Sequence, residues 1–217
     1  MPYNIFLTGY RGAGKTTIIK KVIRELGLDP GGFITGKEVT EQGRVSFYLL
    51  AACNLRDRSA AGNPLSVGGG SLSNGSSLND RRDLQDTGEN YYKDWGKKMA
   101  ENCFVSKKDK QSLWQVNNAA FNRFGVKLLE EGLRAGEIII MDELGRFELK
   151  AYRFQKKVEE VLRSSKVVLG VIKYEWNPFL KRIWNRPDVE VIWVDRENRE
   201  EVYRMVLDKV SRLQRRS

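Results

Sequence analysis

Histidine is absent from this chain of 217 residues, and cysteine occurs only twice, at Cys53 and Cys103. The commonest metal ligand and acid–base side chain is therefore missing, and neither cysteine has a companion at metal-ligand spacing. These absences exclude zinc chemistry and histidine-dependent triads. Long apolar runs are missing too. Stretches such as Ile138 to Met141 and Val167 to Ile172 fall far short of the roughly 20 residues a membrane span needs. Met1 to Thr8 shows no basic region leading into a long apolar segment and a small-residue cleavage site. The expectation is a soluble, cytoplasmic chain without a membrane partner.

Hydrophobic residues make up 41% of the chain, enough to bury a substantial core in one α/β domain spanning residues 1 to 217. The formal net charge is +10. Such a balance suits nucleic-acid binding, or a solvated lysine-rich surface around a site for anionic nucleotides. The basic residues are spread out, with small clusters at Lys97, Lys98, Lys107, Lys108, Lys110 and at Arg212, Arg215, Arg216. No RNA- or DNA-binding motif accompanies them, so a nucleic-acid partner is possible but not favoured.

Tyr3 to Thr8 reads as a buried strand and Thr16 to Leu26 as a helix with an apolar stripe of Ile18, Ile19, Val22, Ile23 and Leu26. Gly32 to Val39 and Val45 to Ala52 flank a polar turn containing Gly43, which predicts an inserted β-hairpin. Asp57 to Arg82 is rich in Gly, Ser and Asn, the composition of a long flexible loop or of a lid. Helical spacing of Leu113, Val116, Ala120, Phe124 and Leu128 predicts a helix over Leu113 to Arg134. Strands and helices then alternate: strand Glu137 to Asp142, helix Leu149 to Arg163, strand Lys166 to Ile172, helix Phe179 to Trp184, strand Val189 to Val194, and a last helix to about Leu213. Continuous β-branched strands separated by amphipathic helices predict a mostly parallel sheet covered by helices on both faces.

Gly9-Tyr10-Arg11-Gly12-Ala13-Gly14-Lys15-Thr16 has the spacing G-x-x-x-x-G-K-[ST] and joins the first strand to the first helix, the context that makes a P-loop. Glycines let backbone N–H groups converge on phosphates, and the helix N-terminus adds positive potential. Lys15 is then placed for the β- and γ-phosphate oxygens, the Thr16 hydroxyl for Mg²⁺, and Thr17 for the α-phosphate side.

Ile138-Ile139-Ile140-Met141-Asp142-Glu143 is a buried strand that delivers two carboxylates at its C-terminal end, where α/β sheets bind ligands. Asp142 fits the Walker B role of holding Mg²⁺. Glu143 is placed to orient or deprotonate a water attacking the γ-phosphorus, which favours hydrolysis over phosphotransfer. The plainer reading of this pair is a charged strand end facing solvent. Asp142-Glu143-Leu144-Gly145 also spells D-x-x-G, but no guanine-reading N-K-x-D occurs in the chain, which disfavours a regulatory GTPase.

Four separated segments carry a resemblance to the small nucleoside-triphosphatase family that includes the thermophile-type enzymes and the human cancer-related NTPase. They are Gly12-Ala13-Gly14-Lys15-Thr16-Thr17, Gly32-Phe33-Ile34-Thr35, Asp142 through Glu148, and Glu197-Asn198-Arg199-Glu200. The family usually has Ile, Lys and Met where this chain has Leu144, Arg146 and Phe147. The resemblance implies slow hydrolysis of ATP, GTP and other triphosphates with broad base tolerance, on a RecA-like or kinase-like P-loop core. It also implies that Asn198 and Arg199 lie near the nucleotide. Asn198 followed by Glu201 reads equally well as a helix-capping pair. Two other functions remain open at this point: a nucleotide or nucleoside kinase on the same core, and a nucleotide-switched adaptor for RNA or protein. Arg11, Arg146, Arg182, Arg186 and Arg199 are the candidates for transition-state charge.

Overall fold

The computed structural model describes residues 4–55, 101–109 and 111–215. The expected flexible loop at 57–82 and the basic residues Lys97, Lys98, Lys110 and Arg216 lie outside these described residues. In chain order the elements are β1 (Asn4–Thr8), α1 (Lys15–Leu26), β2 (Pro30–Val39) and β3 (Val45–Ala51), then a 3-10 turn (Ala52–Leu55). Next come β4 (Cys103–Lys107), β5 (Gln115–Val116) and a π-helical segment (Ala120–Gly125) that runs into α2 (Val126–Ala135). The chain ends with β6 (Ile138–Leu144), α3 (Tyr152–Leu162), β7 (Val167–Ile172), α4 (Pro178–Trp184), β8 (Val189–Trp193) and α5 (Arg199–Gln214).

All eight strands join one sheet in the order β5-β4-β3-β2-β6-β7-β1-β8. β2, β6, β7, β1 and β8 are parallel, and β3, β4 and β5 extend the sheet antiparallel from β2. β2 and β3 are the expected hairpin. The side-chain period of two divides the core between the sheet faces. Ile5, Leu7, Ile138, Ile140, Val167 and Leu169 pack with α1 and α5, while Phe6, Ile139, Met141 and Val168 pack with α2, α3 and α4 on the other face. Helices thus cover both faces, as the uninterrupted apolar strands predict. Among the described residues no helix is long and apolar enough to cross a membrane.

β2 is held against α2 at one close approach. A Cβ on Gly31 would stand 2.3 Å from the Cα of Gly132, so only paired glycines let the helix sit directly on the strand.

The expected helix from Leu113 to Arg134 begins later than its spacing predicts. Leu113 is 89% exposed, and Gln115 and Val116 pair with Ser106 and Val105 of β4. The amide of Asn117 donates to the carbonyl of Phe104 and its side-chain Nδ2 to that of Cys103. This tether ends the edge strand and turns the chain into the helix. The π-helical segment then shifts the helical phase, so Phe121, Val126, Leu128 and Leu129 are buried while Phe124 is only partly so. β4 itself has no counterpart in the sequence reading, which saw only a lysine cluster there.

Candidate active site

The chain leaves β1 at Thr8 and enters α1 at Lys15 through a loop in which Gly9, Gly12 and Gly14 take φ of 131°, 81° and 102°. These are left-handed values that favour glycine. Gly9 is doubly constrained, since a Cβ there would stand 2.1 Å from the carbonyl oxygen of Val194. The loop wraps the start of α1, with the Ala13 amide donating to the Tyr10 carbonyl (3.2 Å) and the Ile18 amide to that of Gly14 (2.9 Å). Lys15 Nζ donates to the carbonyl oxygens of Gly9 (2.9 Å) and Tyr10 (2.8 Å). Burial holds the ammonium below the usual lysine range, opposed by the carboxylates of Glu143 and Asp142.

Those carboxylates arrive on β6, two strands away from β1. Adjacent strand residues ordinarily point to opposite faces. The register of β6 against β7 slips between Asp142 and Leu144, and such a bulge re-aims a side chain. Asp142 and Glu143 therefore line one cavity with Gly9 to Gly12, Gly14, Lys15, Thr16 and Thr17. Asp142 is 5% exposed. Burial pushes its carboxyl up to about 6, opposed by a hydrogen bond from the Thr16 hydroxyl and reinforced by the charge of Glu143. Glu143 is half-buried, not a solvated strand end. Its amide donates to the Thr35 hydroxyl oxygen (3.2 Å) and its Oε1 lies 3.0 Å from Lys173 Nζ.

The oxygen donors suit a hard cation. Among the described residues there is no group of three or more acidic or cysteine side chains that could hold a metal ion, so these residues offer no complete metal cage. One buried carboxylate on a threonine hydroxyl, beside a phosphate-binding loop, fits Mg²⁺, which takes few protein ligands and leaves the rest to substrate phosphates and water.

Several cavity residues were given no role from the sequence, although Thr35 stands in one of the four family-like segments. Thr35 and Lys37 come from β2, Lys173, Tyr174 and Glu175 follow β7, and Trp193 ends β8. Lys173 carried a usable signal, since it stands at the C-terminal end of an uninterrupted apolar strand, where such sheets bind ligands. Of the five arginine candidates only Arg11 lines the cavity. Arg182 is bonded to Glu159 and Gln155, Arg186 to Asp188, and Arg146 lies over the ring of Phe147. Arg199 is beside the P-loop: a Cβ on Gly14 would meet its Cδ at 3.9 Å.

Asn198 corrects the capping expectation. It occupies the N-cap position of α5, but its side chain makes no cap hydrogen bond to the helix. Its Oδ1 instead accepts from the Asp195 amide (2.9 Å) and its Nδ2 donates to the Trp193 carbonyl (3.0 Å). The side chain is taken up by the turn after β8, and it does not line the cavity.

The loop following the two carboxylates is clamped from below. The Gly145 amide donates to Glu148 Oε2 (3.0 Å), Asn177 Nδ2 donates to the Gly145 carbonyl (3.0 Å), and Gln155 Nε2 donates to the Glu148 carbonyl (2.8 Å). Burial pushes Glu148 up from 4.5 to about 7. Between those values the folded chain keeps a proton that the unfolded chain has released, so stability falls as pH rises through the window. Glu148→Gln removes that loss while keeping an acceptor for Gly145. Relative to the native protein, the variant is expected to gain on the order of 3 kcal/mol between pH 4 and pH 8. Denaturant unfolding of both proteins at the two pH values checks this; identical pH dependence contradicts it.

A family model described as NTPase matches residues 4–63 and 92–207, which include every element that lines this cavity. The chain belongs to the NTPase family. The break between the matched stretches holds most of the Gly-, Ser- and Asn-rich segment. Among curated NTPase relatives, the nucleoside-triphosphatase THEP1 of Thermotoga sp. (strain RQ2) is 29% identical over 207 residues, covering 94% of this chain and 92% of its own. The nucleoside-triphosphatase THEP1 of Methanocaldococcus jannaschii is 29% identical over 210 residues, covering 95% and 96%. The crystal structure of THEP1 from the hyperthermophile Aquifex aeolicus superposes with a TM-score of 0.58 at 21% identity, covering 94% of this chain and 97% of that one. That likeness shows the shared α/β fold.

Proposed function

We propose that this NTPase-family chain hydrolyses the β–γ phosphoanhydride of Mg-bound nucleoside triphosphates, with Glu143 as the general base. The observation that carries the reading is Glu143 itself, a half-buried carboxylate braced by Thr35 and Lys173 in the cavity that holds Lys15. The N–H groups of the Gly9 to Gly14 loop and the Lys15 ammonium bind the β- and γ-phosphates, with Thr17 on the α-phosphate side. Thr16 and Asp142 hold Mg²⁺, which when bound neutralises charge developing on the phosphate oxygens. Glu143 accepts a proton from water as the water oxygen bonds to the γ-phosphorus. The bond from that phosphorus to the bridging oxygen breaks, releasing nucleoside diphosphate and phosphate. Lys173 sets the orientation of Glu143 and brings a cation to the γ side, a role for which arginines alone were considered from sequence. Arg199 serves the phosphates from beside Gly14, and Asn198 acts through the backbone of Trp193. Turnover is slow and base tolerance broad, as the family resemblance implies.

The test is phosphate release from ATP, GTP, CTP and UTP, with and without Mg²⁺ and with no second substrate present. Each nucleotide is expected to yield phosphate only with Mg²⁺. Turnover that appears only when a nucleoside or nucleotide acceptor is added would instead make the chain a kinase.

A further inference from the structure

The cavity is larger than a triphosphate tail requires. Its volume is about 700 Å³, well inside the range of sites that enclose whole small ligands. Beyond the P-loop its wall is aromatic. Tyr10 follows Gly9 in the loop, Trp193 ends β8 opposite Thr8 of β1, and Tyr174 follows Lys173 at the end of β7. The three rings belong to neither apolar core, and they are 75%, 36% and 73% exposed respectively. Large aromatic side chains left this open, side by side in a concave site, mark a surface kept for a ligand.

The arrangement of the rings points to what that ligand offers. Tyr10 meets Trp193 with centroids 5.4 Å apart at an interplanar angle of 88°, and Tyr174 meets Trp193 at 5.5 Å and 88°. Each contact is edge to face, setting the edge of one ring on the face of the other, so the three rings do not stack on one another; Tyr174 also meets Trp184, at 6.1 Å and 61°. The backbone of Trp193 is held by the hydrogen bond that Asn198 Nδ2 donates to its carbonyl. Exposed, unstacked aromatic rings on the rim of a phosphate site are complementary to a planar heteroaromatic group carried by a phosphate chain. Every nucleobase is such a group, whatever its hydrogen-bonding edge.

We infer that the Tyr10–Trp193–Tyr174 wall is the nucleobase subsite and that it holds bases by stacking, without reading their hydrogen-bonding edges. This rests on the triphosphate site proposed above and explains how one cavity accepts different bases. The experiment separates the two readings by using inorganic tripolyphosphate, which engages the phosphate loop and has no base. Equilibrium dissociation constants with Mg²⁺ are measured for ATP, GTP, CTP, UTP and tripolyphosphate on the native chain, Trp193→Ala, Trp193→Phe and Tyr174→Ala. Trp193→Ala is expected to weaken all four nucleotides by a similar factor, about fivefold to a hundredfold, and to leave tripolyphosphate within about twofold. Trp193→Phe restores most of the loss, and the exposed Tyr174→Ala change gives a smaller loss of the same pattern. Unchanged nucleotide binding in both alanine variants overturns the subsite. An equal loss of tripolyphosphate also overturns it, by showing that Trp193 shapes the phosphate loop. A native chain that binds neither nucleotides nor tripolyphosphate overturns the triphosphate site itself.

Discussion

Glu143→Gln is expected to lower triphosphate hydrolysis by about 10² or more while nucleotide binding survives. The amide keeps nearly the size and reach of the carboxylate, and the backbone bond from residue 143 to Thr35 does not involve the side chain. What is lost is the charge that takes a proton from water. Lys15, Thr16 and Asp142 still hold the phosphates and Mg²⁺, and removing one carboxylate from beside a polyanion favours its attachment. The variant should therefore trap nucleotide. Asp142→Asn should separate cleanly from it, losing Mg²⁺-dependent binding as well as turnover. Equilibrium binding and phosphate release are measured on each variant. Turnover of Glu143→Gln within about threefold of native, against the 10² expected of a general base, would remove Glu143 from that role and bring the kinase reading forward.

Lys15→Ala is expected to weaken triphosphate binding by about 10² or more, with the fold retained. Its ammonium makes two bonds, both to loop carbonyls, those of Gly9 and Tyr10. With bound nucleotide it exchanges these neutral acceptors for ionised phosphate oxygens. Charge-assisted hydrogen bonds contribute roughly 1.5–3 kcal/mol each, so two of them account for the loss. Alanine is a good helix former and Lys15 opens α1, so the helix has no reason to fail. The check is thermal melting with and without Mg-ATP. The native protein gains about 2.7 kcal/mol at a hundredfold excess of nucleotide over its dissociation constant, whereas the variant gains no more than about 0.4 kcal/mol at the same concentration. Loss of the folded state at ordinary temperature would give Lys15 a structural role.

The parts of this site legible in the sequence are those whose chemistry is local. The P-loop is a run of backbone donors, so its spacing alone specifies it, and Asp142 and Glu143 sit side by side at the end of a recognisable strand. Thr35, Lys173 and Trp193 join them only because of strand order, which is decided by long-range packing. No local pattern says that β7 lies between β6 and β1, and that placement is what brings Lys173 to Glu143. The helix expected from Leu113 starts later for a related reason. Its spacing was helical, but β4 captured Gln115 and Val116 as the edge strand β5, and tertiary pairing overrides local preference. Asn198 shows the same competition within one turn, where the loop after β8 claims the side-chain oxygen that a helix N-terminus would use.

The insertion of β7 also spaces the two strands that carry the site. The phosphate-binding loop and the carboxylate pair follow strands that do not pair with each other, so β1 and β6 run two strand spacings apart, about 9.6 Å. The ladders that β7 forms with both strands keep that separation. The spacer is pressed flat at Gly170, where any Cβ would stand 2.6 Å from the ring of Phe6 and 2.8 Å from the carbonyl of Met141. Those two residues belong to the very strands whose separation is being kept, one bearing the loop and the other the carboxylates. A side chain at Gly170 would therefore press on both strands at once, disturbing the site without placing any group of its own in the cavity.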